Sequence, residues 1–326
     1  MDQSGAVAPH DAAEINGTDP AREFVPSAPA LIRLHARTGV CAEPRDMLIP
    51  ERRAAPFLGR AAETAALRTW LSGPALVAVQ HIVGGAGVGK TRLAIELCAW
   101  AERQGWDCGF IAAGSFPDFV LRQHSSPLLI VLDGVGLPID AWPGDRWPGG
   151  APLRIIVIDR DARASLEKTG MPGTAPAEVS EPLRLGDLSA NDERVALLRH
   201  AMSMAASAAG VPPCLPLAST VLDRGEPLHL LMAGLIAPHA DVRTALSEAP
   251  AMLAHRLAMQ ERWRLQRLAP ALGLDPCLLW HIAACVTLQS GCPLDMAGEL
   301  VQEEASALAF HLPASCDEVA DVIADA

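Results

Sequence analysis

The residues with the most explicit chemistry are Gly84-Gly85-Ala86-Gly87-Val88-Gly89-Lys90-Thr91, which satisfy the spacing G-x-x-x-x-G-K-T. Glycines so placed let successive backbone N–H groups turn toward one anion, and a helix starting behind them adds its dipole. Lys90 would reach the outer phosphates of a nucleotide, the Thr91 hydroxyl would ligate Mg²⁺, and Arg92 follows on the same turn. Such a loop needs a second carboxylate for the hydrated metal. Leu128-Leu129-Ile130-Val131-Leu132-Asp133 supplies it: five apolar residues, then Asp133 where a strand should end. The next residue is Gly134, a position where ATPases that activate water efficiently carry an acid. A positioned general base contributes roughly 10²–10⁴-fold, so slow hydrolysis is expected unless Asp140 or Asp145 swings in. Arg160, following Arg154-Ile155-Ile156-Val157-Ile158-Asp159, has two open readings. It would sense a terminal phosphate, or it would pair at the surface with Asp159 or Asp161.

These residues need a frame. Ala75–Val83 reads as a buried strand leading into the glycine loop, and the following helix ends at Gly105. Strands are expected at Cys108–Ala112, Leu128–Leu132, Leu153–Ile158 and Leu183–Leu185, with a short helix near Phe116–Arg122. Strands alternating with helices predict an α/β fold: a phosphate-loop NTPase parallel sheet with helices on both faces. Pro138–Pro152 and Lys168–Pro182 read as loops. Beyond Gly186 the signals are helical, opening at Ser189 with Asp192 three residues on. The expected division is a tail or linker over 1–52, a nucleotide-binding α/β domain over 53–187, and a helical lid with further helices over 188–326.

Composition narrows the class. The 326 residues are 50% hydrophobic and 20% charged, too apolar for a disordered chain. Twenty-six Lys and Arg against 38 Asp and Glu leave a net charge of −12. That balance argues against nucleic acid or an anionic membrane surface as the main partner. No apolar run reaches the roughly 18–20 residues of a membrane helix, and the N-terminus has no signal-peptide pattern. The eight cysteines form no C-x-x-C pair, which fits free thiols in the cytoplasm.

Four features in order resemble the signal-transduction ATPases with numerous domains, relatives of the AAA+ class. Phe57-Leu58-Gly59-Arg60 with Glu63 looks like their F-x-G-R-x-x-E motif. The phosphate loop and the Asp133 strand follow. Arg160 matches the sensor arginine, and Gly225-Glu226-Pro227 resembles the G-x-P motif whose proline packs near the adenine. The resemblance covers about residues 55–310. It implies that ATP or ADP binds between the α/β domain and the lid, with Phe57, Arg60 and Pro227 around it. It also implies a switch that acts through a homo-oligomer or a separate sensor or effector protein.

Two other functions stay open beside the switch: a catalytically silent scaffold that keeps nucleotide as a structural cofactor, and a small-molecule phosphotransferase. A guanine-reading N/T-K-x-D motif is absent from the sequence. The basic run His255, Arg256, Arg262, Arg264 and Arg267 reads as the solvated face of a helix, with Leu257, Met259, Leu265 and Leu268 inward. Trp142 and Trp147 read as packing over a sheet edge, and His81 as a core histidine.

Overall fold

A computed structural model describes residues 31–34, 43–111, 125–134, 150–161, 178–212, 221–270, 273–288, 294–308, 310, 312 and 315–316. The expected helix at Phe116–Arg122, the two loop tryptophans, Asp140 and Asp145 lie outside them.

Helix α1 (Ala61–Leu71) precedes strand β1 (Val77–Val83), and the phosphate-loop sequence connects β1 to α2 (Lys90–Arg103). Strands β2 (Asp107–Phe110), β3 (Leu128–Asp133) and β4 (Leu153–Asp159) follow. The short β5 (Glu178–Val179) and β6 (Leu183–Arg184) complete the sheet. Every pairing is parallel, in the order β2-β3-β4-β1-β5, with β6 also on β1. From β1 the chain therefore jumps to the edge strand β2, works back through β3 and β4 to lie beside β1, and then crosses to its other side, which makes a topological switch at the carboxyl end of β1.

The apolar runs explain this arrangement. A strand covered on both faces has no polar side, and β3 is buried at every residue before Asp133. One face packs Ile82, Leu129, Val131 and Ile156 against Leu67 and Leu71 of α1 and Leu93 and Leu97 of α2. The opposite face buries Val79, Ile130, Leu132, Ile155 and Val157 as completely. Burying each such side chain contributes about 1.5–3 kcal/mol. The expected α/β phosphate-loop NTPase sheet, buried on both faces and followed by a helical part, is what the chain forms.

That helical part comprises α3 (Asn191–Ala209), α4 (Pro227–Ile236), α5 (Val242–Ser247), α6 (Pro250–Leu268), α7 (Pro276–Leu288) and α8 (Leu294–Ala307). Helices α3 and α4 share a core built on Leu198, Ala201, Leu230 and Ala233. Leu265, Leu278, Ile282 and Val301 hold α6, α7 and α8 together.

Several expectations change. Ser189 does not cap α3: Ala190 holds that position without a side-chain cap bond, and Asn191 instead accepts from the Leu222 N–H at 2.9 Å. The stretch Lys168–Pro182 contains β5, whose two residues pair with Ala78 and Val79. Met259 faces outward, while Leu253 and Leu265 are the buried residues of α6. Part of the expected tail is built structure. Ile32 bridges Phe110 of β2, and two 3-10 turns, Pro44–Leu48 and Pro50–Arg52, lie against the helices. They hold because Met47 is an apolar anchor, buried in the α3–α4 core. Among the described residues, no helix is long and apolar enough to cross a membrane.

Candidate functional site

Parallel register brings the chemistry together. Val83 lies opposite Asp159, and Asp133 opposite Ile158, so β1, β3 and β4 end on one line. The phosphate loop, Asp133 and Arg160 all leave the sheet from that edge, at the carboxyl ends where open α/β sheets bind ligands.

Thr91, in the first turn of α2, donates its hydroxyl to Asp133 Oδ2 across 2.6 Å. A hydroxyl and a carboxylate at this spacing are hard oxygen donors of the kind Mg²⁺ prefers. Lys90 folds back on its own loop, donating to the carbonyls of Gly84 at 2.9 Å and Gly85 at 2.7 Å. Burial lowers the Lys90 pKa below its ordinary value; Asp133 and Asp159 oppose that shift, and Arg160 adds to it. Arg160 is thus near enough for its charge to be felt at the lysine, a setting suited to anionic oxygens. Burial raises the Asp133 carboxyl above its ordinary value, and Glu51 adds to the rise. The Thr91 hydrogen bond and Lys90 pull the other way without cancelling it. An ionised Asp133 is under-compensated here, as expected of a carboxylate placed for a cation.

Gly134 sits at φ +73°, and its N–H donates to Ile158 O at 3.2 Å. A β-carbon there would meet nothing within 4 Å, so the glycine answers to backbone conformation and not to crowding.

Arg60 lies beside the phosphate loop. It is 6% exposed and its guanidinium is spent on protein. It donates to Glu63 at 3.0 Å, to the Val88 carbonyl at 3.0 Å and to the Gly186 carbonyl. It braces the phosphate loop against the end of the sheet. Phe57 lies 5.8 Å from the Arg92 guanidinium, measured to the ring centroid.

Pro227 opens α4, and the Leu228 N–H donates to the Gly87 carbonyl at 3.2 Å. Gly87 has φ +78°, and a β-carbon on it would run into Glu226 and Leu228. The helical part therefore touches the loop itself. Between them lies a pocket of about 260 Å³ that includes Phe57, Arg60, Lys90, Thr91, Arg92 and Pro227 in its lining. Met47, Leu48 and Pro50 from the 3-10 turns form a third wall, which the sequence reading missed for want of periodicity in so short a segment.

No protein-family model matches the chain, and no curated protein matches it. Solved structures overlap it loosely. The Aeropyrum pernix ORC2 protein shares 16% identity at a TM-score of 0.39, over 84% of this chain and 98% of that one. Drosophila ORC bound to DNA shares 10% at 0.36, over 98% and 87%. Cdc6p from Pyrobaculum aerophilum shares 11% at 0.34, over 86% and 88%. Overlaps at these scores fix no family, and the assignment of a phosphate-loop NTPase fold rests on the chain's own strand order, loop and register.

Proposed function

We propose that this chain binds ATP or ADP with Mg²⁺ and works as a nucleotide-dependent molecular switch, with slow or partner-dependent hydrolysis. The observation that carries the reading is the Thr91–Asp133 contact of 2.6 Å beside Lys90, on a loop that also touches the helical part.

In this reading the loop N–H groups and Lys90 hold the phosphates, with the ammonium leaving the carbonyls of Gly84 and Gly85 to do so. Thr91 and Asp133 hold Mg²⁺, which when bound neutralises phosphate charge. Arg160 reads the terminal phosphate. Pro227 and Leu228 cover the nucleoside, together with Phe57 and Leu58. Because Leu228 is bonded to Gly87, a change at the phosphates has a direct route into α4, the kind of two-state element a γ-phosphate can bias. The signal-transduction ATPases that the motifs resemble supply the wider expectation. The switch acts in the cytoplasm, and its output passes through self-association or a separate sensor or effector protein.

Gly134 favours a second reading, a silent scaffold stabilised by bound nucleotide. At a hundredfold excess over Kd, such a ligand adds about 2.7 kcal/mol. ATP turnover measured across protein concentrations, beside Lys90→Ala, separates the two. Turnover that rises faster than linearly and vanishes in the variant supports the switch. Turnover no higher than the variant's background supports the scaffold.

A further inference from the structure

Residues 43–53 run between the two halves of the molecule. At one end Arg45 pairs with Glu261 of α6, and Arg264 Nη1 lies 3.7 Å from Glu43. At the other end Arg53 grips both carboxylate oxygens of Glu96 of α2, through Nε at 3.0 Å and Nη2 at 2.7 Å. Between these anchors, Met47, Leu48 and Pro50 close one side of the pocket that holds Lys90, Thr91 and Pro227. Arg53 has φ +52°, and it is the one residue other than glycine with positive φ among those described. A left-handed arginine persists only where its surroundings hold it there, and here the Glu96 pair does so.

We propose that residues 43–53 are a strap across the nucleotide pocket, pinned to α6 and to α2, whose release at Arg53 sets the rate of nucleotide exchange. The inference rests on the nucleotide-binding reading. An occupant held on the phosphate side by the loop and on a second side by Pro227 leaves past the third wall, and that wall is the strap. Met47, Leu48 and Pro50 face the pocket, and Arg45 and Arg53 are the anchors. Opening the strap therefore breaks these ion pairs and lifts Met47 and Leu48 off the α3–α4 core, while the phosphate loop stays in place. A nucleotide filling the pocket would in turn pack against Met47 and Leu48 and hold the strap down, so occupancy and closure reinforce each other.

The test follows release of N-methylanthraniloyl-ADP from the full chain after addition of excess ADP. Arg45→Ala/Arg53→Ala should release it roughly threefold to thirtyfold faster, the range expected for losing two such ion pairs. Arg33→Ala, which removes pairs to Glu102 and Asp107, should leave the rate unchanged. Arg53→Gly keeps the left-handed backbone conformation while freeing the anchor, so it should speed release as the double variant does, separating loss of the Glu96 pair from backbone strain. Unchanged release in both strap variants overturns the strap, as does equal acceleration in Arg33→Ala. A wild-type chain that fails to bind the labelled ADP overturns the nucleotide reading itself, and the strap with it.

Discussion

The backbone N–H of Leu228 donates to the carbonyl of Gly87 across 3.2 Å, fastening the first turn of α4 to the turn of the phosphate loop. The contact is close because residue 87 has no side chain: Glu226 and the β-carbon of Leu228 occupy the space one would need. Gly87→Ala should therefore push α4 away and weaken ADP binding at least tenfold. The left-handed backbone adds a stability cost of about 1–2 kcal/mol. Titration calorimetry beside thermal melting checks both, and unaltered affinity would show that this contact does not shape the pocket.

Arg60 should matter through the loop it braces. Its removal strands the carbonyls of Val88 and Gly186 and the carboxylate of Glu63. Arg60→Ala should cost about 2–4 kcal/mol in denaturant unfolding. Arg60→Lys should recover little of this, since an ammonium does not reproduce the guanidinium fork.

Glu96 gives a pH signature. Burial pushes its carboxyl up, yet hydrogen bonds from Arg53 and Arg92 outweigh this and hold its pKa below the ordinary value. A depressed carboxyl stabilises the fold above the unfolded pKa and loses that contribution as pH falls through the folded one. Glu96→Gln should thus cost roughly 1.5–3 kcal/mol at neutral pH. The gap from wild type should close in acid, as pH falls below the ordinary glutamate value. Melting temperature against pH for the two proteins checks it, and a gap independent of pH would contradict it.

Asp133 runs the opposite way. Its folded pKa is raised, so the protonated form suits the empty site, and the nucleotide-free protein loses stability as pH rises through that pKa. Asp133→Asn should melt higher at neutral pH without ligand. The gain should be small, on the order of 2 °C, because the carboxylate tip reaches solvent. With Mg²⁺ and ADP the order should reverse, since only the carboxylate form holds the metal well. A variant that melts lower without ligand would contradict the account.

The phosphate loop and Asp133 were legible because each is local: a short spacing, and an acid ending an apolar strand. The parallel sheet followed from alternating apolar strands and helices. Pro227 needed a resemblance to be noticed, because Gly225-Glu226-Pro227 alone reads as a helix start. The bracing role of Arg60 was hidden because its partners Val88 and Gly186 are 28 and 126 residues away. Residues 43–52 carry no sequence sign of structure, because a 3-10 turn of three to five residues has no apolar period to detect. What holds them is Met47 in a distant core, and the Arg53–Glu96 pair beside them spans 43 positions. Ser189 shows the reverse error: its local capping pattern was sound, but the tie from Asn191 to Leu222 set the start of α3.

The pocket beside Lys90 and Thr91 should bind a nucleotide. Equilibrium titration of the full chain with ADP and ATP in Mg²⁺, beside Lys90→Ala, tests it most directly. Saturable one-to-one binding to the wild-type chain is expected, with a loss of at least tenfold in the variant, and both proteins should melt cooperatively in the absence of nucleotide. No saturable binding by the wild type, or equal affinity in Lys90→Ala, would contradict it.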